Sequence, residues 1–230
     1  MSTNAHSYEV LQKVHVRTHI TLSSREHADG ARTHDPEKYL RDAALLKKVL
    51  EKEPENARYA FFYAESLRWA GDEKGAVDAY RKRVSMDGDA EEVYWSLYCL
   101  AKLTGDLGLF CRAHQFRPSR VEPLYELGNL FSGRKNWLLV WLISRYALPS
   151  PLSTDMLFVE SWIYDWGSLL QYAIASLHLG KSEEAATAFQ ALLQKEGLPD
   201  ELRKQISIFT SSRNSALGSG LASAGPLRST

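Results

Sequence analysis

A helical pattern recurs at a fixed interval, set by the spacing from Gly71 to Gly105, and that recurrence narrows the fold more than any other feature of the sequence. Ala57-Arg-Tyr-Ala-Phe-Phe-Tyr-Ala-Glu-Ser-Leu-Arg-Trp-Ala-Gly71-Asp72, followed by Ala76 and Tyr80, reads as one unit of two helices. Glu91-Glu-Val-Tyr-Trp-Ser-Leu-Tyr-Cys-Leu-Ala-Lys-Leu-Thr-Gly105-Asp106 repeats the frame, with Gly105-Asp106 in the place of Gly71-Asp72. Two less regular units follow. Val121-Glu-Pro-Leu-Tyr-Glu-Leu-Gly128 carries a Leu-Gly pair, and Trp166 to Leu193 restores the frame with Ala173, Gly180, Ala185 and Phe189. A helix pair of this kind has an apolar face that it cannot bury alone, so neighbours must stack on it. Ala64, Ala76, Gly128, Ala173 and Ala185 mark the closest approaches, while Leu67, Tyr80, Leu103 and Phe189 fill the wider gaps. Between the third and fourth units, the prolines of Pro149 to Asp165 stop a helix and break the register.

The interval is about 34 residues, which is the period of the tetratricopeptide repeat. The fold expected is all-α, a tetratricopeptide-like helical-repeat solenoid with a short N-terminal β-strand segment. That strand is read from Val14, Val16, Thr18, Ile20 and Leu22, which alternate with His15, Arg17, His19 and Thr21. A polar loop with Asp29-Gly30 follows, and then Asp35 as N-cap and Pro36 as first residue open a helix. From Ser211 the chain is rich in Ser, Gly and Ala and contains no aromatic or acidic residue. It buries too little apolar area to offset its chain entropy, so a disordered tail is predicted. The division expected is residues 1–34 as strand and loop, 35–209 as helical repeats and 210–230 as tail.

Charge and cysteine content exclude several function classes. Lys and Arg number 28 against 28 Asp and Glu, a net charge of zero, and a phosphate-tracking surface needs a surplus of cations. Nucleic acid is therefore not expected as a partner. Two cysteines, Cys99 and Cys111, make neither a disulfide framework nor a four-ligand zinc site. Both are read as packed thiols. The N-terminus lacks the basic and apolar regions of a secretory signal, and the longest apolar run, Trp137 to Ile143, is far shorter than a membrane span. A cytoplasmic protein is the expectation.

Few residues suggest chemistry. Asp87-Gly88-Asp89 has the Asp-x-Asp form that can hold a metal against a diphosphate, but it falls between two repeats, where Gly88 makes the turn and Asp89 caps a helix. His15 and His19 lie on one strand face about 13 Å apart, too far to share an ion. No glycine-rich phosphate loop and no nucleophile-base set is recognisable, and no cofactor is implied. The aromatic residues are mostly repeat core, yet some could line a groove, because flat rings bury much area at little entropic cost. The groove candidates are Tyr94, Trp95, Tyr98, Arg117, Arg120 and Tyr125. Arg117, Arg120 and Glu122 sit at a repeat junction, where pairing with one another or capping is the structural reading.

Longer runs carry a family resemblance. Asp29 to Ala43, Glu53 to Asp72, Glu91 to Tyr98, Arg117-Pro-Ser-Arg-Val-Glu-Pro-Leu-Tyr-Glu-Leu127, and Leu157-Phe-Val159 leading to Tyr164-Asp-Trp166 occur in order. Together they resemble the C-terminal tetratricopeptide-like part of family 2 glycosyltransferases. The resemblance implies a nucleotide-sugar domain, an Asp-x-Asp metal motif and a carboxylate base, none of which fits in the residues before the first helix. The chain resembles the tail alone, with the last strand of the absent domain. Ala5-His6-Ser-Tyr-Glu-Val-Leu11 is loosely similar to a segment whose His is a metal ligand in that family, which makes His6 the sole metal candidate. The function expected is a non-catalytic interaction or accessory module with a protein or peptide in its groove. The alternative is a glycosyltransferase whose catalytic domain is on another chain or missing from this gene model. A carboxylate-clamping chaperone adaptor is disfavoured, because Phe61, Glu65 and Ser96 stand where its Lys and Asn would.

Overall fold

A computed structural model describes residues 36–221, with side chains from 37 to 211. The expected strand from Val14 to Leu22, the Asp35 cap, His6, His15 and His19 lie outside the described residues. Among those described, the secondary structure is ten α-helices and one π-helical turn, with no strand. The helices are α1 (Pro36–Leu50), α2 (Ala57–Trp69), α3 (Glu73–Arg83), α4 (Ala90–Thr104), α5 (Leu107–Phe116), α6 (Glu122–Gly133) and α7 (Trp137–Ala147). After the π-turn (Ile163–Gly167) come α8 (Ser168–His178), α9 (Ser182–Leu193) and α10 (Asp200–Leu221). Pro36 does open the first helix.

Four hairpins, α2–α3, α4–α5, α6–α7 and α8–α9, share one junction. At the tip of each, a single residue turns left-handed: Gly71 (φ +81°), Gly105 (φ +66°), Lys135 (φ +56°) and Gly180 (φ +73°). Glycine takes this conformation without a Cβ penalty, whereas Lys135 must bear it. In three of the four hairpins the next residue caps the second helix. Asp72 Oδ1 accepts from Gly75 N–H at 2.9 Å, Asp106 Oδ1 from Gly108 N–H at 2.7 Å, and Asn136 Oδ1 from Leu139 N–H at 3.3 Å. Each cap satisfies a backbone donor that the first turn would otherwise leave unpaired. Asp89 does the same for α4, accepting from Glu91 and Glu92 N–H, while Gly88 turns at φ +126°.

The principal helix contacts join neighbours in sequence, from α1 on α2 through α9 on α10. Ala64, Ala76, Ala173 and Ala185 are fully buried at those contacts, with Leu67, Tyr80 and Phe189 packed around them. Gly128 of α6 sits where an added Cβ would come within 2.4 Å of the Gln171 side chain on α8. Gln171 uses that closeness, donating from Nε2 to Tyr125 O at 2.9 Å and to Asn129 Oδ1 at 2.7 Å. Trp137 of α7 stacks on His178 of α8 with ring centroids 3.8 Å apart, so the third and fourth hairpins join directly although the chain between them breaks register.

One expectation needs correction. Cys99 is buried, but Cys111 is exposed, because Phe110 and Ala113 are the residues of α5 that face inward. The final helix runs from Asp200 to Leu221 and so overlaps the residues set aside as a tail. Its first turns are anchored by Leu202, Ile206 and Phe209, and once a helix is nucleated each further residue adds one hydrogen bond. No helix among the described residues is long and apolar enough to cross a membrane.

Candidate functional site

The register break builds the site. Residues 151–160 have no helix or strand and run back across α4 and the α5–α6 junction. This strap is held at each end by side chains of the helices beneath it. Glu91 Oε2, on the first turn of α4, accepts from the N–H groups of Met156 at 2.9 Å and Leu157 at 2.7 Å. Arg117 grips Asp155 with two parallel bonds, Nε to Oδ2 at 2.6 Å and Nη2 to Oδ1 at 2.5 Å. A forked guanidinium matches a carboxylate in this way with both charge and direction. The bonds from Arg117, joined by one from Arg120, hold the Asp155 carboxyl below its ordinary range.

Arg120 is the centre of the site and is fully buried. Its Nη1 donates to Leu157 O at 3.0 Å, its Nη2 to Phe158 O at 2.9 Å and its Nε to Glu122 Oε1 at 2.9 Å. Its guanidinium also lies over the Tyr94 ring, 4.4 Å from the centroid. Such charges are tolerable inside a protein only when paired and hydrogen-bonded. Glu122 in turn accepts from Tyr164 OH at 2.8 Å, from Tyr94 OH at 3.4 Å and from Glu160 N–H at 3.3 Å. Phe158 adopts φ +49°, and its ring stacks on Trp95 at 4.5 Å. Glu160 closes the strap, accepting from Tyr98 OH at 2.6 Å with Lys102 Nζ 3.9 Å away. Burial pushes the Glu160 carboxyl above its ordinary range, and Lys102 only partly offsets it. Tyr94 and Tyr98 are held protonated by burial and by these carboxylates, so both act as donors.

The groove candidates are therefore brought together, but not as an open groove. Tyr94, Trp95, Tyr98, Arg120 and Tyr125 are buried, and Arg117 is half-buried. Tyr125 sits deeper than the rest, edge-on to Trp162 at 5.0 Å. The strap covers the others because its acidic and aromatic side chains match them. Glu91, Lys102, Asp155, Phe158, Glu160 and Tyr164 escaped the sequence reading. The break at Pro149 and Pro151 was a signal that something unusual follows, but no periodicity shows where an irregular chain lies. Residue spacing offers one further clue. Arg83 precedes Arg117 by the same interval that separates Gly71 from Gly105, and it is fully buried against Glu92 at 3.3 Å. At the next unit the same position reaches outward to the strap.

A second buried cluster lies between α2, α3 and α4. Glu65 accepts from Trp95 Nε1 at 3.0 Å, from Arg68 at 2.6 Å and from Tyr80 OH. Beside it burial pushes the Cys99 thiol up to about 12, so this cysteine stays an unreactive thiol at neutral pH. Asp87 and Asp89 remain turn and cap. Among the described residues no group of His, Cys, Asp or Glu has the arrangement of a metal site.

No protein-family model matches the chain, and no curated protein matches it.

Proposed function

We propose that this chain is a tetratricopeptide-like solenoid that binds a protein or peptide across the face made by α4, the α5–α6 junction and α6, and that it does so without catalysis. The observation that carries the reading is the strap, a stretch of non-helical chain seated on that face. Its backbone N–H and C=O groups are met by Glu91 and Arg120, and its side chains by Arg117, Trp95 and Tyr98. Backbone capture gives affinity for any extended chain, while side-chain pockets give selectivity. Successive hairpins of a helical repeat present such a surface repeatedly, which is how solenoids read linear segments. The carboxylates here are tied to Arg, Tyr and Trp donors, an arrangement suited to holding a chain in place. Service to a glycosyltransferase catalytic domain is the form of this reading that the sequence resemblance suggests.

Selection from a random-peptide display library tests it, using the intact chain and the Asp155→Ala/Phe158→Ala double variant, with helicity checked by circular dichroism. Enrichment of related sequences that is lost when Arg117→Ala is added supports the reading. Failure to enrich on either folded protein, or enrichment indifferent to Arg117, refutes it.

A further inference from the structure

The structure assigns the strap a second identity: it is an internal copy of the ligand, and the face beneath it takes non-helical peptides carrying a carboxylate, an aromatic ring three residues later and a second carboxylate two residues after that. The inference rests on the interaction-module reading and specifies its partner. Three pockets define the pattern. The Arg117 fork takes the first carboxylate, now that of Asp155. The Trp95 face takes the ring, now that of Phe158 at 4.5 Å. Tyr98 OH, with Lys102 behind it, takes the second carboxylate, now that of Glu160.

The strap is built to leave. Removing it does not unstack the repeats, because α7 packs directly on α8 through the Trp137–His178 stack and α6 meets α8 at Gly128. It is only partly inside the protein, with Met156 88% and Phe158 41% exposed. Phe158 also docks with a left-handed backbone, a strain that weakens the hold of the docked strap. Arg120 keeps Glu122 and the Tyr94 ring whether or not the strap is present, so the central cation stays compensated when the face opens. Arg117 is 29% exposed and has Glu91 at 3.8 Å, so departure of Asp155 leaves it charged and accessible for an acidic ligand.

A tethered segment competes at an effective concentration in the millimolar range, so a free peptide of equal intrinsic strength binds the intact chain weakly. The probe is a fluorescein-labelled peptide with the sequence of residues 153–161, followed by anisotropy. The Asp155→Ala/Phe158→Ala chain is expected to bind it about tenfold or more tightly than the unaltered chain, because the cis competitor is weakened. Adding Arg117→Ala must abolish that gain, and a probe with Asn and Ala in place of its Asp and Phe must bind at least about tenfold more weakly. Amide hydrogen exchange on the unaltered chain supplies an independent readout: saturating probe should release protection at Met156 and Leu157, whose N–H groups Glu91 now holds. A folded double variant that ignores the probe, equal binding of the altered probe, or unchanged protection at those amides would each overturn the inference. If the display selection meanwhile yields an Arg117-dependent motif of other chemistry, the interaction-module reading survives and only the ligand pattern falls.

Discussion

Replacing Arg120 with alanine removes the buried cation that binds the strap backbone to the helices beneath it. Its guanidinium is fully buried and serves Glu122 at 2.9 Å, Leu157 O at 3.0 Å and Phe158 O at 2.9 Å. Breaking a buried ion pair by deleting one partner costs about 3–5 kcal/mol, because the remaining charge is left uncompensated. Glu122 keeps Tyr164, Tyr94 and the Glu160 amide as donors, and the two strap carbonyls can turn toward water. The lower end of the range is therefore expected, about 3 kcal/mol, or roughly 6–12 °C in melting temperature for a chain of this size. Thermal melts followed by circular dichroism, with urea midpoints alongside, measure it. Arg112→Ala on the exposed side of α5 is the control and should change stability by less than about 0.5 kcal/mol. Combining Arg120→Ala with Glu122→Gln should cost less than the two single changes together by about 1 kcal/mol or more, as coupled partners do. A loss below about 1 kcal/mol for Arg120→Ala, or strict additivity with Glu122→Gln, would refute the view that this pair anchors the site.

Other expectations follow from the same geometry. Gly105→Ala should cost about 1–2 kcal/mol from backbone strain alone, since a Cβ there would meet nothing within 4 Å; an unchanged urea midpoint would contradict the left-handed junction. Gly128→Ala should cost about 1–3 kcal/mol, because the new methyl displaces the Gln171 amide from its two bonds. A chromogenic disulfide reagent should label one thiol in the native chain, the exposed Cys111, and a second only after denaturation; prompt labelling of both would place Cys99 outside the core. Asp155 has its pKa lowered on folding, so its bonds to Arg117 and Arg120 stabilise above the unfolded carboxyl value of about 3.9 and are lost as the pH falls through the lower folded value. Urea midpoints between about pH 5 and pH 2 should thus fall more steeply for the unaltered chain than for Asp155→Asn, and parallel curves would remove Asp155 from the account.

The helices were legible because their information is periodic. Apolar spacing, the Gly71-Asp72 and Gly105-Asp106 frame, and the Asp89 cap are local signals, and each element follows from its own residues. Small residues at Ala64, Ala76 and Gly128 also revealed where helices meet. The candidate site was legible only by residue type: Arg117, Arg120, Tyr94, Trp95 and Tyr98 do belong together. Their burial was not visible, because it depends on a segment far along the chain that has no periodicity. Phe158 at positive φ breaks the local rule for a bulky residue, as does Lys135 at the third hairpin tip, and tertiary contacts overrule propensity in this way without leaving a trace in composition. Cys111 shows the opposite error, in which an apolar neighbourhood in sequence hides a residue that lies one position from the buried stripe of its helix.

The stacking of Trp137 on His178 means that adjacency in space and adjacency in the chain are separate properties of this molecule. The spine of helices passes from the third hairpin to the fourth as if nothing intervened, while the polypeptide takes a detour over the neighbouring face. The detour can therefore vary in length and sequence without altering the order of the stack, and the stack can change its surface without moving a helix. Among these stacked helical hairpins, this is where individuality can be written.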